Sequence, residues 1–140
     1  MECKASEALR VSGLTYKQLD HVIRCGLLTP ERASATGRGH PRRFGVMDLL
    51  ALTLVHELLR SGMPLRAMSH ALRLVPRGRD GLLPEQLGEA FIWTDGRAAK
   101  LVRRSALSDA PSRPVFWILD LGAAAAQVRG RLRGTPRAAA

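Results

Sequence analysis

The chain has 140 residues, 46% of them apolar and only 4% aromatic, with a formal net charge of +10. That length suits one domain or two very small ones, and the apolar share supports a folded core of Leu, Val and Ala rather than disorder. The charge favours phosphate polyanions, either nucleic acid or an anionic membrane surface, while the lack of any apolar run of about 18 residues excludes a helix spanning a bilayer.

Each half of the chain, 1–75 and 76–140, carries a charge of +5, so the halves differ in clustering and not in total. Cys3 and Cys25 form neither a disulfide framework nor a metal spacing, and a reducing cytoplasm is the expected compartment. The start, Met1-Glu2-Cys3-Lys4, has no signal-peptide pattern. His21, His40, His56 and His70 fall into no ligand spacing with acids or cysteines, so no metal and no cofactor is expected.

Residues 6–12 read as a short helix that Ser6 can cap, and Gly13-Leu14 supplies a tight turn. Thr15 can cap a second helix to about Cys25, with Leu19, Val22 and Ile23 inward. Gly26 suits the position after that helix, and Leu27-Leu28 can fold back on the core. Two short helices around a glycine turn are a helix-turn-helix signature. From Arg32 to Met47 there is no acid but four arginines and a histidine, with Gly37 and Gly39 as turn positions and Phe44 as an anchor. A solvated helix beside a basic hairpin suits double-stranded DNA, the helix in a major groove and the hairpin along phosphates.

Residues 46–60 are the clearest helix, with Leu49, Leu52, Val55 and Leu59 on one stripe and Gly62 ending it. Pro64 opens another, carrying Leu65, Met68 and Leu72. Pro76-Arg77-Gly78-Arg79-Asp80-Gly81 reads as a linker, and 82–89 as a short helix or turn. A strand over 90–94, a two-residue Asp95-Gly96 turn and a return strand over 97–102 make a hairpin. Residues 106–108 suit a helical turn, 114–119 a third strand, and Asp120 or Gly122 the start of a helix to about Leu132. The arginines at 129, 131, 133 and 137 suit a helix C-terminus and tail. Phe91, Trp93, Phe116 and Trp117 are expected in a strand core or a dimer surface, with a ligand pocket as the other use. Cys25 is expected to be a small buried thiol, and Cys3 to lie in a mobile terminus.

Residues from about 6 to 74 resemble the DNA-binding domain of MerR-type transcriptional regulators. The resemblance rests on the helix pair, Gly26-Leu27-Leu28, Gly37-Arg38-Gly39, Arg42-Arg43-Phe44, Asp48 with its leucine-rich helix, and Ser61-Gly62-Met63-Pro64-Leu65. It implies a winged helix-turn-helix that binds a pseudopalindromic operator as a homodimer and acts with RNA polymerase at a promoter. The chain departs from the family at His21-Val22, where the similar subgroup has an aromatic pair. It departs again beyond Leu74, where proline and glycines replace a long dimerisation helix.

The resulting fold class is mainly α with a small β part: a winged helix-turn-helix followed by a small α+β unit. The expected organisation is a DNA-binding domain over 5–75, a linker and short helix over 76–89, a dimerisation or effector unit over 90–133, and a tail over 134–140. Candidate DNA-binding residues are Thr15, Tyr16, Lys17, Gln18, His21 and Arg24 on the second helix, and Arg38, His40, Arg42 and Arg43 on the wing. Gln18 suits adenine, Lys17 guanine or phosphate, and Thr15 a cap with its N–H near phosphate. Arg24 suits phosphate or its own helix end, and the arginines of the wing suit phosphate. An ordinary solvated helix face and a mobile loop histidine are the plainer readings. No phosphate loop, nucleophile elbow or carboxylate pair points to an enzyme. An excisionase-like architectural protein and a protein-interaction adaptor are the alternatives, and the expected location is the cytoplasm, at the nucleoid.

Overall fold

The computed structural model describes residues 2–30, 42–76 and 87–134. Helix α1 (Ala5–Ser12) starts at Lys4, and no side chain caps it, so Ser6 sits inside the helix and not at its N-cap. The cause is upstream. Cys3 and Phe44 form a two-bond antiparallel bridge, N–H to O at 2.8 and 2.9 Å, which holds the backbone extended up to Lys4. Cys3 is therefore buried and fixed, contrary to a mobile terminus. Burial first, and then the carboxylate of Glu7, pushes its thiol above the usual cysteine range.

Helix α2 (Tyr16–Arg24) follows the Gly13 turn, and α3 (Val46–Arg60) spans the residues expected of it. Asp48 closes the start of α3, its Oδ2 accepting the Gly45 N–H at 2.9 Å. α3 is the central element: Leu49, Leu50, Leu52, Leu54, Val55 and Leu58 are all buried. After Gly62 the expected helix divides into a 3₁₀ turn (Leu65–Ala67) and a short α4 (Ser69–Arg73), with buried Met68 at the junction.

The second half forms a three-stranded antiparallel sheet in the order β2-β1-β3, from β1 (Ala90–Thr94), β2 (Ala99–Arg103) and β3 (Trp117–Asp120). β3 begins later than the strand expected over 114–119. The hairpin loop is four residues long, because the register closes at Thr94 and Ala99. Asp95 makes the difference: its Oδ1 accepts the N–H groups of Arg97 and Ala98, at 2.9 and 2.8 Å. Those bonds, followed by Arg113, hold its carboxyl below the usual aspartate range. A 3₁₀ turn (Arg104–Asp109) follows β2. Of the expected short helix over 82–89, residues 82–86 lie outside the described residues.

Side-chain alternation gives the sheet two apolar faces. Ile92 and Leu119, cross-strand partners, join the helical core with Trp117 and Ala99 packed beside them. Phe91 and Trp93 point to the other face, covered by the Arg104 guanidinium 4.8 Å from the Phe91 ring centre and by Phe116, 6.3 Å from Trp93. Helix α5 (Leu121–Arg133) starts on Asp120, whose Oδ1 accepts the Ala123 N–H at 3.0 Å, and packs across α3 and α1. A methyl group at Gly122 would lie 2.8 Å from the Gly88 backbone, so only glycine allows that close approach.

Among the described residues, side-chain hydrogen bonds stitch the halves together. Arg131 Nη1 donates to the Val11 carbonyl, Arg10 Nη1 donates to the Arg131 carbonyl at 2.9 Å, and Trp117 Nε1 donates to Ser61 Oγ at 2.9 Å. Buried Val11, Leu50, Ile92, Leu121 and Val128 belong to one continuous core. Both tryptophans lie in the sheet, whereas most of the helix lies elsewhere. Urea unfolding followed by tryptophan fluorescence and by far-UV circular dichroism should therefore give coincident transitions. Ile92→Ala should lower both midpoints together, through a loss of about 2–5 kcal/mol in stability. A fluorescence transition at clearly lower urea would contradict the shared core.

Candidate nucleic-acid interface

α2 is held at both ends by local bonds. Thr15 Oγ1 accepts the Gln18 N–H at 3.2 Å, and Gln18 Oε1 accepts the Thr15 N–H at 2.9 Å, a reciprocal capping box. At the other end Gly26 takes a left-handed φ of 72°, with Leu27 N–H bonded to the Val22 carbonyl and Gly26 N–H to the Ile23 carbonyl. This turn sends Leu28 into the core. Cys25 is left exposed, contrary to a buried thiol, with its Sγ 3.4 Å from Nε2 of His21, which is also exposed.

Leu19 and Val22 bury one side of α2. The other side presents Tyr16, 66% exposed, together with exposed Thr15 and Lys17 and half-buried Gln18. A helix with Tyr16 and Lys17 in water at its N-terminus can enter a groove without unfolding anything behind it. Gln18 already uses its amide oxygen in the capping box, so any base contact has to draw on the same side chain.

The segment before α3 lies beside α2. Phe44 is wholly buried, and Arg42 and Arg43 precede it, both half-buried. Asp20 joins the two elements. Its Oδ2 meets Arg24 Nε at 2.9 Å and its Oδ1 meets Arg42 Nη1 at 3.4 Å. The Arg24 and Arg42 side chains remain 76% and 40% exposed, so both guanidinium groups stay open to an external anion. Arg38 and His40 lie outside the described residues. Among the described residues, Asp20 belongs to this surface and was not among the candidates read from the sequence. Its spacing of four from Arg24 was a usable signal, but its reach to Arg42 depends on tertiary structure.

The family described as MerR HTH family regulatory protein matches residues 3–74. The chain belongs to the MerR HTH family. Its helix-turn-helix is thus that of a family of transcriptional regulators, and binding to DNA follows from the family. The chain is also 37% identical over 94 residues to proteins of Mycobacterium bovis and Mycobacterium tuberculosis, each named an uncharacterized HTH-type transcriptional regulator. The aligned part is 66% of this chain and 40% of those relatives, so the chain spans less than half of their length. Among the described residues no three His, Cys, Asp or Glu side chains could hold a metal ion, and no helix is long and apolar enough to cross a membrane.

The capping box makes the start of α2 sensitive to a single hydroxyl. Thr15→Ala should cost about 1 kcal/mol in urea unfolding, whereas Thr15→Ser should be close to neutral. Equal stability of all three proteins would show that the box contributes nothing.

Proposed function

We propose that this chain is a sequence-specific transcriptional regulator that binds a pseudopalindromic operator as a homodimer. In this reading Tyr16, Lys17 and Gln18 enter the major groove, while Thr15 presents the helix N-terminus to a phosphate. His21 and Arg24 lie further along the same helix, towards the flanking backbone. Arg42 and Arg43, with Arg38 and His40 of the preceding loop, form the wing that grips phosphate. Residues 5–75 are the binding domain, and 90–133 dimerise or sense. Such a dimer acts at a promoter, where RNA polymerase is the natural partner.

The observation that carries this reading is the position of Asp20 between Arg24 and Arg42. One carboxylate holds a guanidinium from α2 and one from the segment beside it on a common surface. That surface keeps a cationic excess, because two guanidinium groups meet a single carboxylate. A polyanion as wide as a duplex can then meet helix and wing together.

Charge reversal at Arg42 or Arg43 should weaken binding to every duplex and flatten its dependence on salt, by roughly one unit of slope per lost phosphate contact. Gln18→Glu keeps an acceptor for the Thr15 N–H but replaces the amide donor with a negative charge, so it should leave the helix start capped while it shifts sequence preference and weakens binding to every duplex. Tight and equally salt-sensitive binding after removal of both arginines would rule out the wing.

A further inference from the structure

The last carbonyls of a helix have no N–H of their own helix to accept. At the end of α1 the Gly13 N–H returns to the Leu9 carbonyl at 2.9 Å. The Val11 carbonyl, on a wholly buried residue, takes its donor from Arg131 Nη1, 120 residues away. A carbonyl out of reach of water needs such a partner. The last turn of α5 is closed from the opposite direction, because the Arg131 carbonyl accepts Arg10 Nη1 at 2.9 Å. Each helix end is thus capped by an arginine of the other helix, and a cation suits both ends.

The groove-entering end of α2 lies next to this clasp. Only Gly13, Leu14 and Thr15 separate α1 from α2. Leu14 is buried with its N–H on Ser12 Oγ at 3.2 Å, and Thr15 is the cap of α2. The His56 ring stands 3.0 Å from where a methyl group on Gly13 would lie, so the turn has no room to slide inward. A shift at Val11 therefore passes to Thr15 and on to Tyr16, Lys17 and Gln18. On the far side β3 ends at Asp120 and α5 starts at Leu121, with no loop between them. Sheet and clasp are joined by a single helix, roughly 20 Å long.

We propose that Arg131 is a positioning residue for duplex binding: with Arg10 it braces the last turn of α1, fixes the direction of α2 and ties the groove-entering residues to the sheet unit, without touching nucleic acid itself. The proposal rests on the reading above for what α2 binds. It gives Arg131, which by composition is one of several arginines near the end of the chain, a role that depends on its hydrogen bonds and not on its charge. A helix held in place before the ligand arrives loses less freedom on binding than one that has to be ordered.

The test sets duplex affinity and its salt dependence beside amide exchange in the free protein. Arg131→Met keeps the length of the side chain and removes its donors. It should raise the Kd for a short duplex on the order of tenfold, with the slope of log K against log salt unchanged, because no phosphate contact is lost. Exchange at Gln18 and Leu19, whose N–H groups bond to Thr15, should quicken by a larger factor than at Ile92 in the sheet. Arg10→Met spares the buried Val11 bond, so it should show the same pattern more weakly, and it serves even if Arg131→Met folds poorly. Ile92→Ala, a core variant outside the clasp, should bind duplex like the wild type below its unfolding midpoint. A slope lower by about one unit would make Arg131 a phosphate contact and overturn the proposal. Unchanged affinity in both arginine variants, or an equal loss in Ile92→Ala, would overturn it too. A wild type that ignores every duplex, while Arg131→Met still quickens exchange at Gln18 and Leu19, would uphold the brace and overturn the DNA-binding reading.

Discussion

The geometry of the candidate interface depends on one anchor, the burial of Phe44 and its bridge to Cys3. Removing a phenylalanine side chain from water contributes about 1.5–3 kcal/mol. An exposed ion pair such as those of Asp20 contributes about 0–1 kcal/mol. The apolar anchor therefore decides where the segment at 42–44 runs, and Asp20 then aims two guanidinium groups within that placement. Without Phe44 the bridge to Cys3 loses its reason, α1 loses its fixed start, and Arg42 is no longer bound to lie beside α2.

Asp20 has a double effect on the surface it organises. It neutralises part of the charge that would attract phosphate, and it holds two flexible side chains in one place before a ligand arrives. Exposed guanidinium groups spaced by a shared carboxylate lose less freedom on binding than unrestrained ones. The proposed interface thus gives up some long-range attraction for preorganisation. In the same proposal Lys17 and Tyr16, at the opposite end of α2 from Arg24, make the contacts that differ between sequences.

Much of the helical half was legible in the sequence, because its signals are local. The spacing of the leucines marked α3, Thr15 marked the start of α2, and Gly26 marked its end. In the sheet half, β1 was equally local, and of the two starts read for the last helix, Asp120 and Gly122, Asp120 is the cap. Part of what escaped depends on partners distant in sequence, and part on local bonds that several turn types could make. Phe44 turned Cys3 from a terminal residue into a core one, and the Gly26 turn left Cys25 exposed while Leu28 entered the core as expected. Asp95 widened its loop by accepting two N–H groups that a tighter turn would not have offered. The bonds from Arg131 to Val11 and from Trp117 to Ser61 had no signal in spacing or composition.

The most direct measurement is the shift of backbone amide resonances when the isotope-labelled chain is titrated at low salt with a short random-sequence duplex. A single face built from α2 and the adjacent segment requires the largest shifts at Tyr16, Lys17, Arg42 and Arg43 in the same titration, with Ile92 and its strand neighbours nearly still. Large shifts in the sheet while α2 stays unmoved, or shifts on α2 that leave Arg42 and Arg43 untouched, would contradict it.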